Sequence, residues 1–202
     1  LKCKDKDLMD LWGRFTNRVQ VYGSLDHFGD KAEYIRTGTK WEEVMKNYRT
    51  LLESDVTQLS ITTSVSIFNY GSLTSFFDYL IDQGIAPWNE PNRGAWQINP
   101  IYGPEELSFQ AMPMHMKEKF AEQHLEYFKV LKKLKKQDGS KIMFAQVEQL
   151  MRSVESLHVL AKSTDKWDQI QDRFINEVKK IDNRRGEDFK KVFPELAELL
   201  LK

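Results

Sequence analysis

Arg18-Val19-Gln20-Val21-Tyr22-Gly23-Ser24-Leu25-Asp26, and farther on Leu59-Ser60-Ile61-Thr62-Thr63-Ser64-Val65-Ser66-Ile67-Phe68, are the stretches that decide the fold. In the first, Val19, Val21 and Leu25 fall on one side of an extended chain and Gln20, Tyr22, Ser24 and Asp26 on the other. In the second, Leu59, Ile61, Thr63, Val65 and Ile67 point one way, and Ser60, Thr62, Ser64, Ser66 and Phe68 the other. Both read as strands with one small, polar face. A helix is predicted between them, opened by a capping box at Thr39-Lys40-Trp41-Glu42 and striped by Trp41, Val44, Met45, Tyr48, Leu51 and Leu52. A second helix follows Asn69-Tyr70-Gly71-Ser72, with Leu73, Phe76, Phe77, Leu80 and Ile81 on one side and Gly84 at its end. Strands joined through helices run parallel, and parallel strands usually carry apolar residues on both faces. A hydroxyl-rich face therefore points to a sheet covered by helices on one side and lining a cavity on the other, as in a full or partial barrel, with ligands at the carboxyl ends of the strands near Ser24, Asp26 and Asn69.

Outward from this pair, Asp7 to Phe15 reads as a one-faced helix through Leu8, Leu11, Trp12 and Phe15. Ile85 to Gly94 loses periodicity around Pro87, Pro91 and Gly94, an irregular connection. Trp96-Gln97-Ile98-Asn99-Pro100 and Leu107-Ser108-Phe109-Gln110-Ala111 are two short candidate strands, of which one is expected in the main sheet. From Pro113 the chain is helical, with Phe120, His124, Phe128 and Leu131 on one side, a break at Asp138-Gly139-Ser140, then helices over Ile142 to Ala161, Trp167 to Ile181 and a Pro194-anchored tail. The basic run Lys129, Lys132, Lys133, Lys135 and Lys136 suits a solvated helix end.

Composition narrows the function. The 202 residues carry 30 Lys and Arg against 30 Asp and Glu, so no net field draws the chain to nucleic acid or an anionic membrane. A 41% hydrophobic share with 12% aromatic residues suits a folded globular chain. The lone Cys3 excludes an internal disulfide framework, a cysteine-based zinc site and a complete iron–sulfur site from this chain alone, and fits a reducing cytoplasm. No apolar run approaches the roughly 18 residues of a spanning helix, and Leu1-Lys2-Cys3-Lys4-Asp5 resembles neither a signal peptide nor a start, so the chain is expected to begin within something larger. Phosphate-loop, dinucleotide and H-E-x-x-H motifs do not occur. His27, His115, His124 and His158 are scattered, and His27, beside Asp26, is the best placed. In the loop after the first strand, Ser24 can exchange hydrogen bonds with a polar ligand and Arg36 can clamp a carboxylate, or Ser24 and Asp26 hold the turn and Arg36 pairs with Glu33 or Asp30.

The run S-L-D-x-x-G-x-x-A-E-Y-I-R-x-G-T-x-W, from Ser24 to Trp41, resembles the fourth-strand region of radical SAM proteins, in particular the twitch-domain-containing group. Val65 to Asn69, Pro104 to Ser108 with Met112-Pro113, Ile181 to Arg184 and Phe193 to Leu196 fit the same group in order. The resemblance implies an α/β fold: a partial (half) TIM-like barrel of parallel βα units, strands four to six in residues 1–112, followed by a helical extension in residues 113–202. It implies S-adenosylmethionine and a [4Fe-4S] cluster as cofactors of the full-length protein. The cluster would be held by a C-x-x-x-C-x-x-C loop that this chain lacks, so the missing amino-terminal half, or its equivalent, becomes the expected partner of a cytoplasmic protein. Ser24 matches the serine near the cofactor's methionine part and Arg36 the arginine that meets its carboxylate. Ser64 and Asn69 lie on the edge that lines the nucleoside, and Asp26 and Gln110 on the substrate side, each with the alternative of a hydrogen bond inside the cavity wall. The chain alone would be inactive, one wall of a pocket for 5′-deoxyadenosyl radical chemistry. The other reading is a non-catalytic interaction module, a truncated or degenerate barrel whose helical region docks on a partner.

Overall fold

A computed structural model of the chain describes residues 1–3, 6–85, 96–138 and 144–201. Three strands, β3 (Val19–Ser24), β4 (Thr57–Val65) and β5 (Trp96–Pro100), form a parallel sheet in sequence order. Before them, β1 (Lys2–Cys3) and β2 (Lys6–Asp7) make a separate small antiparallel hairpin that runs into α1 (Leu8–Trp12). The β3 to β4 connection carries α2 (Gly29–Ile35) and α3 (Trp41–Leu52), and the β4 to β5 connection carries α4 (Leu73–Asp82). Then follow α5 (Met114–Asp138), α6 (Phe144–Lys162), α7 (Trp167–Arg185), α8 (Phe189–Val192) and α9 (Pro194–Leu200). No described helix is long and apolar enough to cross a membrane.

The strand order explains why the sheet has two unlike faces. Crossovers between parallel strands have a fixed hand, so successive strands laid down in one direction put their helices on the same side. On that side Tyr48 of α3 presses onto β3, and Phe76 and Phe77 of α4 meet Trp96 of β5 edge-on, with ring centres 5.9 and 4.9 Å apart. A relay crosses the three strands beneath these helices: Trp96 Nε1 donates to Thr63 Oγ1 (2.9 Å), which donates to the Leu25 carbonyl (2.8 Å). The opposite face carries Gln20, Tyr22 and Ser24 on β3, Gln58, Ser60, Thr62 and Ser64 on β4, and Gln97 and Asn99 on β5. Ser24, Gln97 and Asn99 are exposed there, and only Ser60 of β4's four is fully buried.

The helices of the second half complete one continuous core with the sheet layer. Gly71 lets the Phe120 ring of α5 approach to a distance that a Cβ would reduce to 2.6 Å. Helix α6 lies against β5. Phe68 stacks on Phe193 at 5.6 Å, and Tyr34 of α2 donates to Asp182 of α7 (3.0 Å). His124 and His158 pair across α5 and α6, Nδ1 to Nε2, at 3.1 Å.

Several expectations are revised. The sheet has three parallel strands, and a barrel is not established by them. Trp96–Pro100 joins the sheet, whereas Leu107 to Ala111 forms two single 3-10 turns, Glu105–Leu107 and Phe109–Ala111. The capping box does not form: α3 starts at Trp41, whose N–H donates to Glu33 Oε1 of α2 at 2.7 Å. The tertiary carboxylate displaces the local cap. The second strand stops at Val65 because Asn69 Oδ1 accepts the Ser66 N–H (2.8 Å), and this turn sends Phe68 into the core instead of the polar face. The first helix ends at Trp12, leaving Phe15 62% exposed. The break at Gly139-Ser140, the start at Ile142 and the connection through Pro87, Pro91 and Gly94 lie outside the described residues.

Gly23 is the tightest point of the α3 contact, since a Cβ there would lie 1.7 Å from the Tyr48 hydroxyl and 2.3 Å from its ring. Gly23→Ala should cost about 1–3 kcal/mol through overpacking, read as a lower urea midpoint, and Tyr48→Phe in the same chain, which removes the hydroxyl nearest the new Cβ, should recover part of it. An unchanged midpoint for Gly23→Ala would contradict this packing.

Candidate functional site

The carboxyl ends of β3 and β4 are held together by side chains of the two loops that leave them. Asp26, two residues past β3, is 4% exposed. Its Oδ1 accepts the Ser64 N–H of β4 (2.7 Å) and its Oδ2 accepts Arg36 Nε (2.7 Å). The Asn69 side-chain amide donates to the carbonyls of Asp26 (2.8 Å) and Ser64 (2.9 Å), while its oxygen takes the Ser66 N–H. A fully buried primary amide thus meets both strand ends with its donors and its own loop with its acceptor. Arg36 is the C-cap of α2, its backbone extended and its N–H still donated to the Ala32 carbonyl, so Asp26 holds the point where that helix ends.

Five of the six residues singled out in the sequence meet at this end of the sheet. Ser24 is the last residue of β3, exposed on the polar face and in register with Thr62. Ser64 shares that face, in register with Asn99. Arg36 keeps its side chain 41% exposed although Nε is committed to Asp26. Only its outer Nη edge is therefore available as a planar fork. Asp26 and Asn69 spend their polar atoms inside the wall. Gln110 stands apart from the other five: its amide donates to the Leu160 carbonyl (3.1 Å) and Ser163 Oγ (3.3 Å) at the end of α6.

His27 shows what this end of the sheet cannot do. Its Nδ1 accepts the Phe28 N–H (2.9 Å), so in the neutral ring the proton sits on Nε2 and is donated to Ser72 Oγ, 2.9 Å away. A base that activates a serine needs a lone pair on the nitrogen facing the hydroxyl. The pair is therefore a structural hydrogen bond. Burial, and then Lys31, depress the His27 pKa to about 3.

Two other buried groups stand away from this end of the sheet: Lys117, which the sequence analysis does not single out, and His124 with His158, which it names only singly. Lys117, fully buried, donates to the carbonyls of Gln110 (3.1 Å) and Thr164, tying the turn before α5 to the end of α6, and burial lowers its pKa. Its signal is periodicity: Lys117 lies one turn before Phe120 and Ala121 on the apolar stripe. The His124 and His158 pair gives no such signal, because partners on different helices have no spacing in the sequence.

Among the described residues no three His, Cys, Asp or Glu side chains group as metal ligands. No family model matches the chain, and neither a characterised protein nor a solved structure matches it.

Two outcomes follow from this geometry. Asp26→Ala should destabilise the chain by about 2–3 kcal/mol, since it leaves the Ser64 N–H and Arg36 without their acceptor in a pair that is half open to solvent. Asp26→Asn, which keeps one carbonyl oxygen, should cost less, and equal losses in chemical denaturation would contradict the assignment of the two oxygens. Acid should unfold the protein early. Burial holds His27 and His124 near pKa 3 and His158 near 4 against an ordinary 6.5, with further depression from Lys31, His158 and Lys162 respectively. The unfolded chain therefore takes up protons that the folded one refuses, and stability falls as pH drops below 6.5. His124 and His158 share a hydrogen bond and titrate as a pair, so their two shifts do not add, but all three act in the same direction and stability at pH 5 should lie clearly below that at pH 7.5. Equal urea midpoints at pH 7.5 and 5 would contradict this.

Proposed function

We propose that the chain is the carboxyl-terminal portion of a radical SAM enzyme of the twitch-domain group, forming one wall of the S-adenosylmethionine and substrate pocket of a partial barrel. The observation that carries the reading is the uncharged polar face of three consecutive parallel strands, opposite their crossover helices and exposed at Ser24, Gln97 and Asn99, with Arg36 bound to Asp26 just past β3. Barrel enzymes use that end for ligands. In this reading Ser24 offers its hydroxyl to the methionine part of the cofactor and the outer Nη edge of Arg36 meets the carboxylate. Ser64 and Asn69 shape the wall beside the nucleoside. Asp26 acts as a positioning residue that aims Arg36 through Nε.

The residues present do not fit an iron–sulfur cluster. The chain has a single cysteine, and no ligand group of three occurs among the described residues. The ligands of a [4Fe-4S] cluster would come from other polypeptide. When bound at such a cluster, S-adenosylmethionine supplies a 5′-deoxyadenosyl radical; this chain's part is to bind and orient it. One observation favours the second reading, a non-catalytic interaction module: the outer edge of β3 has no strand beside it among the described residues, and an open edge is a ready docking line.

The two readings separate in a nuclear magnetic resonance titration of the labelled chain with millimolar S-adenosylmethionine. A wall of the cofactor pocket should shift signals of Ser24, Thr62, Ser64 and Arg36 Nε, weakly and saturably, and Arg36→Ala should abolish the shifts. No shifts at the carboxyl ends of β3 and β4, or shifts confined to the helices, would overturn the enzyme reading.

A further inference from the structure

A cleft of about 320 Å³ opens between α2, α4, α5 and α9, on the helical side of the sheet and with no residue in common with the polar face. Its volume is at the lower end of the range for small-molecule pockets, enough for one ring and a short chain. The apolar wall is aromatic and rigid: Phe120 is wedged against Gly71, and Phe193 stacks on Phe68. Two ammonium groups flank it. Lys31 Nζ stands 5.7 Å above the Phe193 ring and 3.6 Å from Glu195, whose own side chain is largely exposed. Lys119 lies on the α5 side with no partner among the described ion pairs. The first turn of α4 adds Ser72 and Ser75 and carries no acidic residue, so the positive end of a ten-residue helix is not offset there. The lining thus has two cations against one solvated carboxylate, around aromatic rings.

We propose that this cleft binds a small organic monoanion, an aryl or arylalkyl carboxylate, with its ring against Phe120 and Phe193 and its carboxylate between Lys31 and Lys119. A neutral ligand would leave the Lys119 ammonium without counter-charge, and a highly charged one would meet Glu195 and the rings. An amphipathic monoanion satisfies both halves of the lining.

The test titrates the full chain with 4-phenylbutyrate, and with 4-phenylbutan-1-ol as its neutral counterpart, by isothermal titration calorimetry. The acid should bind saturably at one site, well below the concentration needed for the alcohol. Lys119→Glu and Lys31→Glu should each weaken binding of the acid roughly fivefold, while Lys180→Glu on α7 leaves it as it was. Lys119 is exposed, so its variant should keep its melting temperature and reports even if Lys31→Glu disturbs Phe193. Unsaturable binding, no binding, equal affinity for acid and alcohol, or equal affinity in all variants would each overturn the proposal. None of these outcomes bears on S-adenosylmethionine, which is read at the other face of the sheet.

Discussion

Everything at the working end of this molecule depends on where Asn69 and Asp26 send their hydrogen bonds. Two parallel strands diverge into separate loops at their carboxyl ends, and their last carbonyls and amides lose sheet partners there. Asn69 donates to the Asp26 and Ser64 carbonyls, and Asp26 accepts the Ser64 amide. Burial makes these bonds obligatory, because an unmet polar group in such a site costs more than a hydrogen bond gains on balance. With the strand ends clasped, Arg36 is held just past the carboxyl end of β3 by the remaining oxygen of Asp26, and α4 can begin beside His27 and Ser72.

The clasp has a functional consequence in either reading. Asp26 is kept from a ligand by its burial, and its two oxygens already hold the Ser64 N–H and Arg36 Nε. What remains for a ligand is the outward part of the set: the Ser24 hydroxyl, the neutral groups of Thr62, Ser64, Gln97 and Asn99, and the outer edge of one guanidinium. In the proposed reading such a surface orients a ligand, and its neutral groups offer no proton transfer.

The sequence disclosed the layout better than the contacts. Period-two alternation with hydroxyls on one side identified β3, β4 and the one-sided sheet, because that pattern is imposed on each strand locally. Helical stripes likewise marked α3, α4 and α5. Boundaries went astray where a distant group took over a local role, as when Glu33 replaced Thr39 at the start of α3 and Asn69 cut β4 short of Phe68. At the site, Ser24, Arg36, Asp26, Ser64 and Asn69 were legible as neighbours because the two βα units bring equivalent positions to one end. Gln110 was not legible, because its neighbours Leu160 and Ser163 are some fifty residues away on a helix whose packing no local pattern reveals. The same holds for the His124 and His158 pair.

The one-sidedness of the sheet is the claim on which the rest stands, and a paramagnetic solvent probe measures it directly. With a neutral gadolinium chelate in solution, the side-chain amides of Gln97 and Asn99 should relax rapidly, while the Trp96 indole N–H, one residue away on the helix-covered face, keeps its signal. Equal protection of the three groups would mean that the polar face is covered, and the wall described here would not exist.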